Sequence, residues 1–332
     1  MRGHKLMKGS TRKSAPVFDP LCYGVELPYQ AVLYPLGFRM DLTTNSQDVI
    51  QAAEEDWSGF PLLFDDRALE VRVAASNDDQ APCPTSLIWR AQRHLLALES
   101  DRHNFAVCDI EKGFSFCWIV PAAARNHDFF QSFFLRILVQ VPLWHTHLTW
   151  IHAACVARNG RAVLLCGASG AGKTCLAYAC ARHGWTFITD EVSSLVRDSK
   201  ERVVLGNPRH MHFRDTAAAI FPELNSRLAV PNAVGKMSLE VGTADLERID
   251  TAFQSQVAAV VFLDRQAGVP ARLTPLSAAD AFYGLDSDLP LFEPPLHEVH
   301  RAAFRGLVAD GAFELRYHDL DEAVSLLEPL AV

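Results

Sequence analysis

The chain has 332 residues, 49% of them hydrophobic and 21% charged, and a net charge of −8 at neutral pH. That is the composition of a globular protein of one or two domains, and it argues against non-specific binding to nucleic acid, which needs a basic surface. No stretch reaches the roughly 18 uninterrupted apolar residues of a membrane span; the nearest, Phe129 to Trp144, is broken by Gln131, Ser132, Arg136, Gln140 and Pro142.

The chain opens on Arg2, His4, Lys5, Lys8, Arg12 and Lys13 among Gly, Ser and Thr, so residues 1–20 read as a disordered basic tail. Residues 21–147 read as an α+β domain. Short apolar runs from Gln30 to Thr44 hold a strand, and Ser46 to Trp57 starts on a serine cap and is helical. Leu69 to Ala74 alternates, with Leu69, Val71 and Val73 on one parity, and predicts a strand. Ser76 to Pro84 is a polar loop. Phe105 to Ile110 and Phe114 to Ile119 flank Glu111-Lys112-Gly113 and predict a hairpin; Asp128 to Leu148 is mainly helix.

The second half, residues 148–332, begins with a strand at Ile151 to Ala157 and a tight turn at Arg158-Asn159-Gly160. Arg161 to Cys166 is a buried strand. It is followed by Gly167-Ala168-Ser169-Gly170-Ala171-Gly172-Lys173-Thr174, which fits the phosphate-binding pattern G-x-x-x-x-G-K-[ST], and then by a helix from Cys175 to Ala181. Strand, glycine loop and helix in that order make this a P-loop. Glycines let successive N–H groups face one anion, and the helix N-terminus adds its dipole. Lys173 is the residue to reach the β- and γ-phosphates, the Thr174 hydroxyl the one to bind Mg²⁺, and Cys175 follows in the first helical turn.

After that helix come Gly184 as a C-cap, a strand at Trp185 to Ile188, and the acids Asp190 and Glu191. Further strands are expected at Arg202 to Leu205, Met237 to Val241, Val257 to Leu263 and Phe313 to Tyr317. Helices are expected at Ser277 to Leu285, Leu296 to Val308 and Leu320 to Leu327. The eight cysteines form no C-x-x-C pair, which fits a reducing, cytoplasmic setting. His145-Thr146-His147 and His210-Met211-His212 each lack an evident third ligand, so zinc is not expected at either.

The residues from Ile151 to Glu191 resemble the catalytic domain of the HPr kinase/phosphorylase superfamily. The likeness is carried by Ile151-His152-Ala153-Ala154 before a hairpin into the P-loop, by Gly184, by Phe187-Ile188 and by the acid pair Asp190-Glu191. It continues more weakly through Asn207-Pro208 to the C-terminus, toward HPr-kinase-like serine kinases found beside peptide biosynthesis genes. The resemblance implies an α/β P-loop kinase domain with a mixed sheet, preceded by the smaller α+β domain. It also implies that His152 contacts the γ-phosphate or the acceptor. Three departures set limits: Cys175 stands where the family has Glu, Glu191 where it has Asp, and Arg209 to Arg214 where it has a glycine-rich signature. These departures bear on the implied phosphorylase activity and HPr substrate, and not on the nucleotide site.

From the residues alone, Asp190 is expected to orient or deprotonate an acceptor hydroxyl and Glu191 to hold Mg²⁺, with the two roles exchangeable. Arg209, Arg214 and Lys236 are candidate cations for phosphate or substrate charge. A rival acid is Asp264, at the end of the apolar run from Val257 to Leu263; if it held Mg²⁺ the chain would be a more ordinary ATPase. Arg265 follows it where hydrolytic ATPases carry Glu. The expectation is therefore an ATP- and Mg²⁺-dependent kinase acting on a serine of a peptide or small protein. It acts without nucleic acid or membrane, and a homo-oligomer is compatible with it. A kinase of free serine-type molecules and a nucleotide-binding regulator without an acceptor are the alternatives.

Overall fold

The computed structural model describes residues 24–332 except 198, 200, 226, 228, 232–236, 247–248 and 291–292. The expected basic tail lies outside the described residues. The first sheet contains β1 (Tyr29–Leu33), β2 (Phe38–Thr44), β3 (Phe64–Ala75), β4 (Ile88–Gln92), β5 (Leu95–Asp101), β6 (Asn104–Asp109) and β7 (Phe114–Ile119), in the order β1-β2-β3-β7-β6-β5-β4. Strand period explains its two faces. In β2, Phe38, Met40 and Leu42 are buried, while Arg39 and Asp41 point out and pair with each other at 2.9 Å. The buried face packs against α1 (Gln47–Trp57), α2 (Pro121–Arg125), α3 (His127–Phe130) and α4 (Arg136–Thr146), the last two joined by a π-helical turn at Gln131–Leu135.

The predicted hairpin is β6 and β7, registered from Phe105 opposite Trp118 to Asp109 opposite Phe114. The run from Gln30 to Thr44 holds two antiparallel strands rather than one, turning at Leu36 and Gly37, both at positive φ. The sequence did not show the β4–β5 hairpin. Every residue of β4 is exposed, so it has no buried parity for an alternating pattern to reveal.

The second sheet contains β8 (Leu148–Ile151), β9 (Ala153–Arg158), β10 (Arg161–Cys166), β11 (Thr186–Thr189), β12 (Ser193–Val196) and β13 (Val203–Leu205). It continues with β17 (Gln254–Arg265), β18 (Arg272–Leu276) and β19 (Ala312–Tyr317). Its path is β11-β9-β10-β17-β13-β12-β8. Because β17 is 12 residues long, β13 pairs with its start and β19 with its end along one edge, while β10 runs parallel to it on the other. A small antiparallel sheet, β14 (His210–Phe213), β16 (Met237–Gly242) and β15 (Val230–Pro231), stands beside it.

Helices cover both faces of the second sheet. α5 (Lys173–Arg182) and α8 (Leu320–Leu327) bury Val163, Leu165, Val261 and Leu315 on one side. α6 (Ala278–Ser287) and α7 (Pro294–Val308) bury Ala162, Leu164 and Val260 on the other. The strand expected at Trp185 to Ile188 forms as β11, but it does not lie against β10. The β9–β10 hairpin, turned by Asn159 and Gly160 at φ 54° and 76°, puts β9 between them. The two sheets meet through Leu148, Leu205 and Phe253, which join the core of the first, with the Phe60 and Phe253 rings 4.3 Å apart. Among the described residues no helix is long and apolar enough to cross a membrane.

Candidate nucleotide and phosphoryl-transfer site

Strand β10 ends at Cys166, the loop turns through Gly167, Gly170 and Gly172 at φ 149°, 96° and 95°, and α5 starts at Lys173. Gly172 has no room for a side chain: a Cβ there would stand 2.5 Å from the Tyr317 hydroxyl, which donates to the Ala171 carbonyl at 3.0 Å. The loop thus lies over the end of β19, with the first amides of α5 facing outward from its N-terminus. Lys173 folds back, its Nζ donating to the Gly167 carbonyl at 2.6 Å and to that of Ala168 at 3.4 Å. Arg214 donates to Ser169 Oγ at 3.0 Å and lies over Gly170. Cys175 is half-buried beside the loop, and burial pushes its thiol pKa up.

The acids reach this loop from one strand away. β11 is antiparallel to β9 and β9 to β10, so β11 and β10 run the same way and end at the same edge. Asp190, just past the end of β11, is buried. Its Oδ2 accepts from the Thr174 hydroxyl at 3.4 Å and from the His212 backbone N–H at 2.6 Å, and its Oδ1 is 3.5 Å from His212 Nδ1. Glu191 is exposed at the same mouth.

His212 is the residue the sequence reading undervalued. In β14, Met211 and Phe213 are buried, so His210 and His212 share the other face; that alternation was visible, but nothing in the sequence paired it with Asp190. Across the β14–β16 ladder His212 faces Glu240, whose Oε2 is 3.8 Å from Nε2 and whose Oε1 is 3.1 Å from His210 Nδ1. Burial opposes charge on His212, but Asp190, Glu240 and Glu191 outweigh it and push its pKa up to about 9. The result is a chain of opposite charges running away from the acid.

His152 lies between β8 and β9 with Nδ1 3.5 Å from Asp288 Oδ2. Burial, then the nearby Lys173 charge, lowers its pKa, which keeps a neutral imidazole at the cleft. Together with the loop, Asp190, Glu191, Arg214 and His212 it bounds a cleft of about 220 Å³. The expected cation Arg209 and the rival acid Asp264 are not brought here. Arg209 donates to Ser58 Oγ at 2.7 Å and to the Ser58 carbonyl, fastening the second half to the end of α1. Asp264 accepts from Arg316 Nε at 3.0 Å and Gln266 Nε2 at 2.7 Å. Lys236 lies outside the described residues. A cation the sequence reading passed over, Arg265, lines the cleft; its Cδ is 3.5 Å from where a Gly172 Cβ would be.

No family model and no curated protein matches the chain. Among solved structures it is similar to the structure of the Hpr(Ser) kinase/phosphatase from Coxiella burnetii, at 12% identity over 55% of this chain and 96% of that one, with a TM-score of 0.28. A likeness that distant assigns no chemistry to this chain.

Proposed function

We propose that the chain is an ATP- and Mg²⁺-dependent kinase that transfers the γ-phosphoryl group to a hydroxyl, with a serine of a peptide or small protein as acceptor. The observation that carries this reading is the buried Asp190 carboxylate, 3.4 Å from the P-loop hydroxyl of Thr174. Phosphoryl transfer asks the protein for little beyond placement: phosphates held, a divalent ion bridged, an acid beside the nucleophile.

The Thr174 hydroxyl and the Asp190 and Glu191 carboxylates are hard oxygen donors, the set that suits Mg²⁺. Among the described residues no three His, Cys, Asp or Glu side chains make a metal cage, and Mg²⁺ sites of this kind are completed by water and substrate phosphates. The ion, when bound, neutralises charge on the phosphates. Lys173, released from the loop carbonyls, binds the β- and γ-phosphates, and Arg214 sits over the loop to meet charge on the transferred group. Asp190, or Glu191 with the roles exchanged, accepts the acceptor's proton as its oxygen bonds phosphorus. The bond from phosphorus to the β-phosphate oxygen breaks and ADP departs. The exposure of Glu191 leaves the acid end of the cleft open to a chain segment, which supports a peptide acceptor.

The test is transfer from labelled ATP to serine-containing peptides, with free serine and no acceptor as the other arms. Peptide labelling that falls by about a hundredfold or more in Asp190→Asn, while ATP still binds, supports the proposal. Label released to water regardless of acceptor would replace it with an ATPase. Glu191→Gln separates the two acids: a raised Mg²⁺ requirement with transfer retained assigns the ion to Glu191.

A further inference from the structure

We propose that a small cavity behind His152 seats a cationic side chain, lysine or arginine, lying near the phosphorylated serine in the acceptor peptide; this rests on the kinase reading above. The cavity measures about 230 Å³ and lies on the α6–α7 side of the second sheet, between the end of β8, the start of the P-loop and the C-terminus of α6. His152 borders both this cavity and the P-loop cleft, so its imidazole stands between the two. A serine whose hydroxyl enters the cleft past His152 carries its chain neighbours across the mouth of the cavity.

The walls define the chemistry. Ile151, Cys166, Phe262 and Leu285 form an apolar floor. Helix α6 fixes that floor: a Cβ at Gly284 would stand 2.5 Å from Phe262 Cε1, so the ring packs on the helix backbone. The rim carries Asp288, which caps the C-terminus of α6 and has its side chain 45% exposed. A carboxylate there opposes the helix dipole, which favours cations at that end, and the last turn of α6 holds no basic residue. Asp286, two residues earlier, is taken by Arg301 at 3.1 Å. Among the described residues Asp288 has only His152 as an ion-pair partner, at 3.5 Å, and burial and Lys173 keep that imidazole neutral. Lys173 itself is held by the Gly167 and Ala168 carbonyls, and nucleotide phosphates would draw it away.

An uncompensated carboxylate and a helix C-terminus over an apolar floor complement a long side chain with an apolar stem and a cationic head. The Phe262 ring adds a face for the cation. Ca²⁺ or Mg²⁺ would want about six oxygen ligands, and only Asp288 and Ser287 bring side-chain oxygens to this cavity. Its size admits one side chain, not a folded partner.

Two readouts test the proposal. In the first, NMR follows the His152 ring of the full chain as N-acetyl-lysine amide is added, with N-acetyl-norleucine amide as the neutral control. The lysine probe is expected to shift the ring signals saturably in wild type and the norleucine probe is not. Asp288→Asn is expected to weaken the lysine response by at least about tenfold. In the second, labelled ATP is offered with free serine and with serine peptides carrying Lys, Arg, norleucine or Glu at each position near the serine. Wild type is expected to favour Lys or Arg over norleucine by at least about tenfold in kcat/KM at one position, through KM. In Asp288→Asn that ratio should fall to about one, and in Asp288→Lys the Glu peptide should take the favoured place; unchanged ATP affinity reports that both variants are folded. A role of Asp288 exercised only through His152 would lower all peptides alike, and an unchanged ratio overturns the proposal. Equal responses of wild type to the two probes, or free serine labelled in preference to every peptide, would also overturn it. A saturable lysine response with no acceptor labelled removes the kinase reading, and the acceptor assignment with it, while leaving the cation seat in place.

Discussion

Gly172 shows how one residue constrains the site twice, by backbone and by space. Its φ of 95° costs an L-residue about 1–2 kcal/mol, and a Cβ would meet the Tyr317 hydroxyl at 2.5 Å. Gly172→Ala is therefore expected to weaken ATP binding by more than about tenfold and to lower the unfolding midpoint. Adding Tyr317→Phe removes the clash but not the φ strain, so the double variant should regain part of the stability in thermal melts; no recovery would mean the clash is not the cause. Two histidines set the pH limits from opposite sides. His300, buried and bonded to the Thr149 hydroxyl at 3.0 Å, has its pKa pushed down to about 3 by burial and then by Arg197. Its folded value lies below the unfolded one, about 6.5, so stability is full above that pH and is lost as pH falls toward 3. For His212 the folded value is raised, so its contribution is present below about 6.5 and is lost as pH rises through about 9. Melts from pH 7 to pH 5 should show His300→Gln falling less than wild type; parallel curves would rule His300 out as the acid-sensitive group.

At the scale of the element, strand period places the rival acids differently. Along β17, Val261 and Leu263 face α5 and its loop, and Val260 faces α6 and α7. Arg265 continues the first row and Asp264 the second. The partner strand agrees: Arg265 sits opposite Tyr317, which touches the P-loop, and Asp264 opposite Arg316, which takes its carboxylate. An apolar strand ending in Asp looks like a metal-binding strand in sequence, yet its acid is on the wrong face. Asp264→Asn is expected to leave ATP affinity and transfer unchanged, whereas Arg265→Ala should raise the ATP Kd by about tenfold. The reverse pattern would return Asp264 to the metal.

On the scale of the whole molecule, the first half supports the second by a shared core and by charge. Leu148, Leu205 and Phe253 pack into the core of the first sheet, and Arg209 holds Ser58. Arg136 of α4 forks onto the buried Asp56 of α1 at 2.8 and 2.9 Å, close enough to Glu240 and Glu191 for their charges to raise its pKa. Residues 148–332 expressed alone should expose this apolar face. The expected outcome is aggregation, or an unfolding midpoint at least about 5 °C lower than that of the full chain. A fragment as stable as the whole chain would mean that the halves fold independently.

Much of the second half was legible in the sequence, because its signals are local. A P-loop needs glycines at fixed offsets between a strand and a helix, and β10, the loop and α5 follow the expected order. The β6–β7 hairpin, α1 and the three C-terminal helices were legible for the same reason: each buries one face, and burial writes a period into the residues. What the sequence could not supply depends on contacts between distant segments. The β4–β5 hairpin has an exposed strand and no period to read. The order of β11, β9 and β10 was fixed by a hairpin that fills the space beside the P-loop strand. Arg209 and Arg214 look alike as cations flanking one strand, yet one reaches Ser58 and the other Ser169. The pairing of Asp190 with His212 joins residues 22 apart in the chain, and only the small sheet brings them together. Sequence determined which groups are present and which elements carry them; the tertiary structure decided which face each group points from, because that is set by what packs on the other side.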